Sequence, residues 1–321
     1  MSQPGPRLDG VTPSRLAVVY NPVKISRDDL CDAFDAVDPD ACAAADWFET
    51  SADDPGRGAA QRALEAGAEL VVVAGGDGTV RAVAEVLAGT QAALGIVPQG
   101  TGNLLARNLD VPLGDVAKAL TRALESEDRP IDIGWISLDG DGNDHERAFV
   151  VMVGFGLDAN MLVETDEDLK DKAGWLAYVE ALGRAVSDGE VVDFTLALDD
   201  GEPEQVSGHT LVIGNCGTIQ GGVALLPDAV IDDGRLDLLL VSADTVVGWL
   251  DTVRSFVWDN GVRRFFEKDA PLVDSESARH LCGTRIAVDL PRPLAFEIDG
   301  EEVGDVRSFR VRLDRGALRV R

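Results

Sequence analysis

Short apolar runs alternate with amphipathic stretches through the first third of the chain. RLAVVY (residues 15–20) and LVVVA (70–74) are unbroken runs with the length and β-branched content of strands buried on both faces. Leu94–Val97 predicts another such strand, and Asp46–Thr50 a further one. Between these runs the pattern is helical. Ser26 stands three residues before Asp29, a capping-box-like start for a helix through Val37. Pro55 suits the first turn of a second helix and Gly67 its end. A third helix is predicted from near Thr79 to about Ala88, with Gly89 as its stop, and a fourth over Pro112–Leu124. This βαβα order predicts a doubly wound parallel sheet with helices on both faces. Ligands of such sheets bind beyond the carboxyl ends of the strands.

The pattern changes near Ile131. Val150–Val153, Phe194–Leu198, Thr210–Gly214, Leu236–Val241, Arg285–Leu290, Leu294–Ile298, Phe309–Leu313 and Leu318–Arg321 read as strands, many joined by turn residues. They predict a mainly antiparallel, β-rich second domain, interrupted by helical patterns near Gly174–Ser187 and Asp244–Val257. The expected division is a flexible Pro- and Gly-rich N-terminus over 1–13, an α/β domain over 14–132, and a β-rich domain over 133–321. The C-terminal segment is free to return to the first domain.

The length of 321 residues suits two domains. Charge narrows the partners: 57 acidic against 29 basic residues give a net charge of −28, which argues against nucleic acid and against broad attraction to anionic membranes. Four scattered cysteines (Cys31, Cys42, Cys216, Cys282) form no metal-type pair and follow no signal-peptide pattern. They are expected to be free, buried thiols in a reducing cytoplasm. His145, His209 and His280 lie far apart in sequence, and there is no G-x-S-x-G elbow. No apolar run reaches the roughly 18 residues of a membrane span, so a lipid substrate would be met from the aqueous side.

The strand ending at Ala74 runs straight into Gly75-Gly76-Asp77-Gly78-Thr79, and the strand ending at Val97 into Gln99-Gly100-Thr101-Gly102-Asn103. Glycines without Cβ let backbone N–H groups approach a phosphate. A following helix adds the positive end of its dipole. Asp77 places a carboxylate where Mg²⁺ and nucleotide phosphates would sit, and the Thr79 hydroxyl can donate to a phosphate oxygen. Two glycines in a strand-to-helix turn are often only structural. Two such loops on one sheet edge, one with a central Asp, favour the phosphate reading.

At these residues the chain resembles the diacylglycerol, sphingosine and ceramide kinase superfamily, and within it the soluble bacterial diacylglycerol kinases. VVVAGGDGTV (71–80), GIVPQGTGNLLARNL (95–109), GNCGTIQGGVALLPDAVIDDGRLDLLLV (214–241) and EIDGEE (297–302) carry the resemblance in order. It implies an ATP-dependent lipid kinase whose first domain holds ATP and whose β-rich domain holds the lipid, with the active site in the cleft between them. It implies that Asn21, Pro22, Val23, Lys24, Thr50, Gly75, Gly76, Asp77, Gly78, Thr79, Val80, Arg81, Gly100, Thr101 and Asn103 contact ATP, and that Asp77 organises the catalytic Mg²⁺. Glu301, supported by Asp299, would be the base on the lipid hydroxyl. Asp233, with the backbone carbonyls of Val230 and Arg235, would hold a structural Mg²⁺. Read without the resemblance, Asp233-Gly234 and Asp299-Gly300 are hairpin turns.

The chain departs from the family pattern in places. Asn21-Pro22-Val23-Lys24-Ile25 lacks the usual small residue and glycine, with Lys24 available as a point charge. Leu104 and Leu105 replace an Asp-Phe pair, a form closer to the sphingoid-base branch. Diacylglycerol is the expected acceptor. A sphingoid base or other lipid alcohol, NAD, and a catalytically silent lipid-binding module are the alternatives. Asp244–Lys268 carries Trp249 and Phe256 on an apolar stripe beside Arg254, Arg263, Arg264 and Lys268. Such a stripe either covers the β core or makes transient peripheral contact with a membrane surface. The reading also leaves room for a homodimer.

Overall fold

The computed structural model describes residues 15–139, 145–156, 191–219, 225–242 and 278–321. The expected helices near 174–187 and 244–257, and the candidate membrane segment 244–268, lie outside these residues, as does the N-terminal stretch 1–13. The chain divides into two compact units, Met1–Ile131 with Gly316–Arg321, and Asp132–Arg315.

The first unit runs β1 (Leu16–Tyr20), α1 (Arg27–Val37), α2 (Pro39–Ala44), β2 (Asp46–Glu49), α3 (Arg57–Glu65), β3 (Leu70–Gly75), α4 (Asp77–Leu87), β4 (Ala93–Pro98), α5 (Leu104–Asn108) and α6 (Val116–Glu125). The strands pair in parallel in the order β4-β3-β1-β2. Residues 319–320 add to the outside of β4, with Arg319 opposite Ala93. Every residue of β1, β3 and β4 is buried, as unbroken apolar runs require in a sheet covered on both faces. Ser26 caps α1 by accepting from the Asp29 N–H, as its spacing predicts. The helix expected over 112–124 starts later, at Val116, because the Asp115 carboxylate caps it through the Lys118 N–H. The expectation of four free, buried thiols is corrected. The extended Asp38 turns α2 back against α1, and Cys31 and Cys42 form a disulfide with Cα atoms 5.7 Å apart. Cys216, which is buried, and Cys282, which is exposed, lie outside any disulfide.

The next strands are β5 (Arg129–Leu138), β6 (Arg147–Phe149), β7 (Met152–Phe155), β8 (Val192–Leu198), β9 (Glu204–Gly208), β10 (Thr210–Gly214), β11 (Leu236–Val241), β12 (Ala278–Gly283), β13 (Arg285–Ile298) and β14 (Glu301–Val320). The second unit is antiparallel: β12-β11-β10-β7-β13 in order, with β13 also pairing β8 and β14, and β8 pairing β9. The strands expected at 285–290 and 294–298 are one. Pro291 and Pro293 lack N–H groups, so the ladder to β14 slips between Asp289 and Leu294 while the chain stays extended. Phe155, Phe194, Phe296 and Phe309 anchor its core, with Phe155 and Phe194 edge-to-face at 5.5 Å.

Candidate functional site

The order β4-β3-β1-β2 puts the topological switch of the first sheet between β1 and β3, where the connections leave in opposite directions. The loops after all four strands lie along this carboxyl edge. Their backbones are stitched to it: the N–H of Asn21 donates to Ala74 O, that of Thr50 to Tyr20 O, and that of Gln99 to Gly75 O, each at 2.8–2.9 Å. The predicted nucleotide-contacting residues of β1, β2, β3 and β4 are thereby brought to one edge.

The two glycine loops touch. A Cβ on Gly100 would fall 2.8 Å from the Gly76 Cα, so the backbones cross where side chains do not fit. Asp77 starts α4 rather than preceding it, and its carboxylate bridges to the second loop. Oδ2 accepts the Asn103 N–H at 2.8 Å and Oδ1 the Leu104 N–H at 2.5 Å. Asn103 sits in the left-handed region (φ 49°), and its side chain closes the loop by accepting from Gly100 N and donating to Gly100 O. The Arg107 Nε donates to Gly102 O at 2.7 Å. Gly76 offers no side-chain cap to α4, so the first-turn amides point out of the helix end, an arrangement suited to an anion. Thr79 is buried against Gly75, where a Cβ would come 2.8 Å from the Thr79 Cβ.

The first loop behaves differently. Lys24 and Ile25 N–H groups donate to Asn21 O, the Val23 N–H donates to Asn21 Oδ1, and Pro22 has none. Its amides are spent on its own turn. Exposed Lys24 and the Asn21 side-chain amide nitrogen are what it can offer a phosphate. Thr50 is buried, and the turn after it is held by Asp54, whose Oδ1 accepts from Gly56 and Gly58 at the start of α3. Asp54 and Arg107 were not singled out from sequence. Each acts on backbone groups two to five residues away, and no motif marks that.

In the second unit Asp299-Gly300 is a two-residue hairpin turn with both φ positive (50° and 79°), the geometry that selects Asp-Gly. Asp299 is buried, and its carboxylate accepts three backbone N–H groups, from Val150, Val151 and Met152, at 2.8–3.0 Å. The strand expected over 150–153 breaks at 150–151, because those two amides turn to Asp299. Glu301, the first residue after the turn, is exposed. Asp299 therefore positions the turn that presents Glu301.

The predicted metal residues share one loop. The Asp233 N–H donates to Val230 O at 3.3 Å, the Arg235 N–H to Asp233 Oδ1, and the Gly234 N–H to buried Asp132 at 2.6 Å. Partial burial pushes the Asp233 carboxyl up, and the charges of Asp237 and Asp132 push the same way. A carboxylate crowded by its own kind beside backbone carbonyls is a setting a hard divalent cation would relieve.

Two family models match the chain: "Diacylglycerol kinase catalytic domain" over residues 15–136 and "YegS C-terminal NAD kinase beta sandwich-like domain" over 151–321. A relative from Klebsiella pneumoniae, named "Probable lipid kinase YegS-like", is 32% identical over 268 residues, 81% of this chain and 80% of its own. The chain belongs to the YegS-like, diacylglycerol kinase-type lipid kinase family. Another YegS-like relative, from Pseudomonas aeruginosa, is 33% identical over 266 residues, covering 81% of this chain and 78% of its own. The fold matches a solved diacylglycerol kinase from Bacillus anthracis with TM-score 0.68 and 18% identity, over 97% of both chains. Membership in the YegS-like family makes the chain a phosphotransferase with an alcohol acceptor. Among the described residues, no helix is long and apolar enough to cross a membrane.

Proposed function

We propose that this chain moves the γ-phosphoryl group of ATP to the hydroxyl of a membrane lipid, with diacylglycerol as acceptor and phosphatidic acid as product. The Asp77 bracket carries the reading: one carboxylate locks two glycine loops together at the carboxyl edge of a parallel sheet, next to its switch point. Phosphoryl transfer asks a protein for positioning and charge stabilisation rather than covalent chemistry. The α4 amides and Lys24 hold phosphate oxygens. Glu301 accepts the hydroxyl proton as the new O–P bond forms and the bond to the leaving ADP breaks. Mg²⁺ bound with ATP supplies neutralisation of the phosphate charge. The lipid is met at a membrane surface by transient contact.

The test is label transfer from ATP with Mg²⁺ to diacylglycerol, sphingosine, ceramide and NAD, the lipids in mixed micelles. Label in diacylglycerol is expected. Label only in sphingosine moves the acceptor to the sphingoid-base branch, and label in NAD alone overturns the lipid reading. Lipid binding with no transfer to any acceptor leaves a silent module.

We assign a structural Mg²⁺ to Asp233 with the carbonyls of Val230 and Arg235. A carboxyl pushed up in the fold disfavours folding when ionised. That cost is present above its folded pKa and vanishes as pH falls below the unfolded value. At neutral pH the metal-free protein bears it. Asp233→Asn is therefore expected to leave the metal-free melting temperature unchanged or higher, and to abolish the rise that Mg²⁺ gives the parent. A Mg²⁺-dependent rise that survives the substitution rules this ligand out.

A further inference from the structure

Strands β11 and β12 carry a second cluster of donor groups. Their antiparallel register sets Asp237 directly opposite Cys282, and His280 opposite Leu239. Residues two apart on a strand share a face, so His280 and Cys282 fall on the same side as Asp237. One donor atom from each of Asp237, His280 and Cys282 lies within 4.8 Å of the other two. The His280 Nε2 is 2.9 Å from Asp237 Oδ1, and the Cys282 thiol donates to the same oxygen at 3.5 Å. Asp237 is buried, His280 nearly so, and Cys282 exposed, which leaves a way in from solvent.

We propose that Asp237, His280 and Cys282 form a binding site for a borderline transition-metal cation, Zn²⁺ in the first instance, that clips β12 to β11. One thiolate, one imidazole and one carboxylate make a three-ligand set with a fourth, tetrahedral position left for water. A mixed S/N/O set selects against Mg²⁺, which takes oxygen donors. The site thus uses none of the groups assigned to Mg²⁺ in the 230–235 loop. Among the described residues β12 ends the order of strands in its sheet, and a cross-strand clip suits that position. The competing reading of the same three residues is a Cys–His–Asp nucleophile. That needs an activated thiolate, whereas the partial desolvation of a sulfur that still reaches solvent, and after it Asp237, push the Cys282 thiol up to about 11. The thiol's own hydrogen bond also goes to the carboxylate. Coordination requires the thiolate, so the Cys282 proton passes to solvent as the metal enters.

The experiment uses the full chain in excess Mg²⁺, titrated with Zn²⁺ and, separately, with Co²⁺. One Zn²⁺ per chain should be retained through dialysis and raise the melting temperature, and Co²⁺ should give the charge-transfer absorption of a cobalt–thiolate bond. Cys282→Ser should erase that absorption. Cys282→Ser and His280→Gln should each weaken Zn²⁺ by about 100-fold or more, since losing even a hydrogen-bond partner of a ligand costs about 10–100-fold. Asp233→Asn removes a neighbouring charge but no donor atom and should weaken Zn²⁺ far less than either donor substitution, which keeps this result separate from the Mg²⁺ assignment. Sub-stoichiometric Zn²⁺, a Co²⁺ complex without the thiolate absorption, or affinity indifferent to both substitutions would each overturn the proposal.

Discussion

Asp77→Ala should lower kcat/KM for lipid phosphorylation by about 10³-fold, the upper range for removing one preorganised electrostatic group. Two losses combine. The Asn103 and Leu104 N–H groups lose a carboxylate that each now contacts, and hydrogen bonds to a charged group are worth about 1.5–3 kcal/mol apiece. The negative charge at the start of α4 also goes, with its favourable interaction with the helix dipole, about 0.3–1 kcal/mol. Urea unfolding should show a stability loss of about 2–4 kcal/mol, below the sum because water reaches this partly buried edge. Asp77→Asn separates shape from charge. Its amide oxygen still accepts one N–H while its NH₂ faces the other, so only part of the stability should return while activity stays at least about 10²-fold down. An Asp77→Asn enzyme within tenfold of the parent would mean that the carboxylate only ties the loops.

The strands of the first unit were legible because burial on both faces forces unbroken apolar runs. β1, β3 and β4 are such runs, and both glycine loops follow from where they end. β9 and β12 were not legible. EQVSG and ARHLCG carry little apolar pattern, and they are strands because β8 and β11 offer them ladders. The helix start at Val116 and the short α5 turn on single capping contacts, one of them to Asp77 from 27 residues away. Glu301 was readable only by resemblance, since Asp-Gly before it signals a turn and nothing more. The structure adds what a turn signal lacks: Asp299 is buried and bonded to a segment 147–149 residues earlier.

That contact makes opposite outcomes for neighbouring carboxylates. Asp299→Ala should destabilise the protein by about 4 kcal/mol or more, because three buried backbone N–H groups are stranded at about 1–3 kcal/mol each. Alanine also tolerates the left-handed φ of 50° poorly. Asp299→Asn suits that φ better but turns an NH₂ toward N–H donors, and should fall between. Glu301→Gln sits on the exposed face of the same turn and should change stability by no more than about 0.5 kcal/mol. Its kcat should nevertheless fall by about 10²–10⁴-fold, the contribution of a positioned general base. Glu302→Gln, one step along the strand and pointing to the opposite face, is the control and should keep near-parent turnover. Denaturation midpoints and single-turnover rates measured on all four variants decide the assignment. Glu301→Gln turning over within tenfold of the parent would remove Glu301 as the base. Loss of activity in Asp299→Asn in proportion to its loss of fold would confine Asp299 to holding the turn.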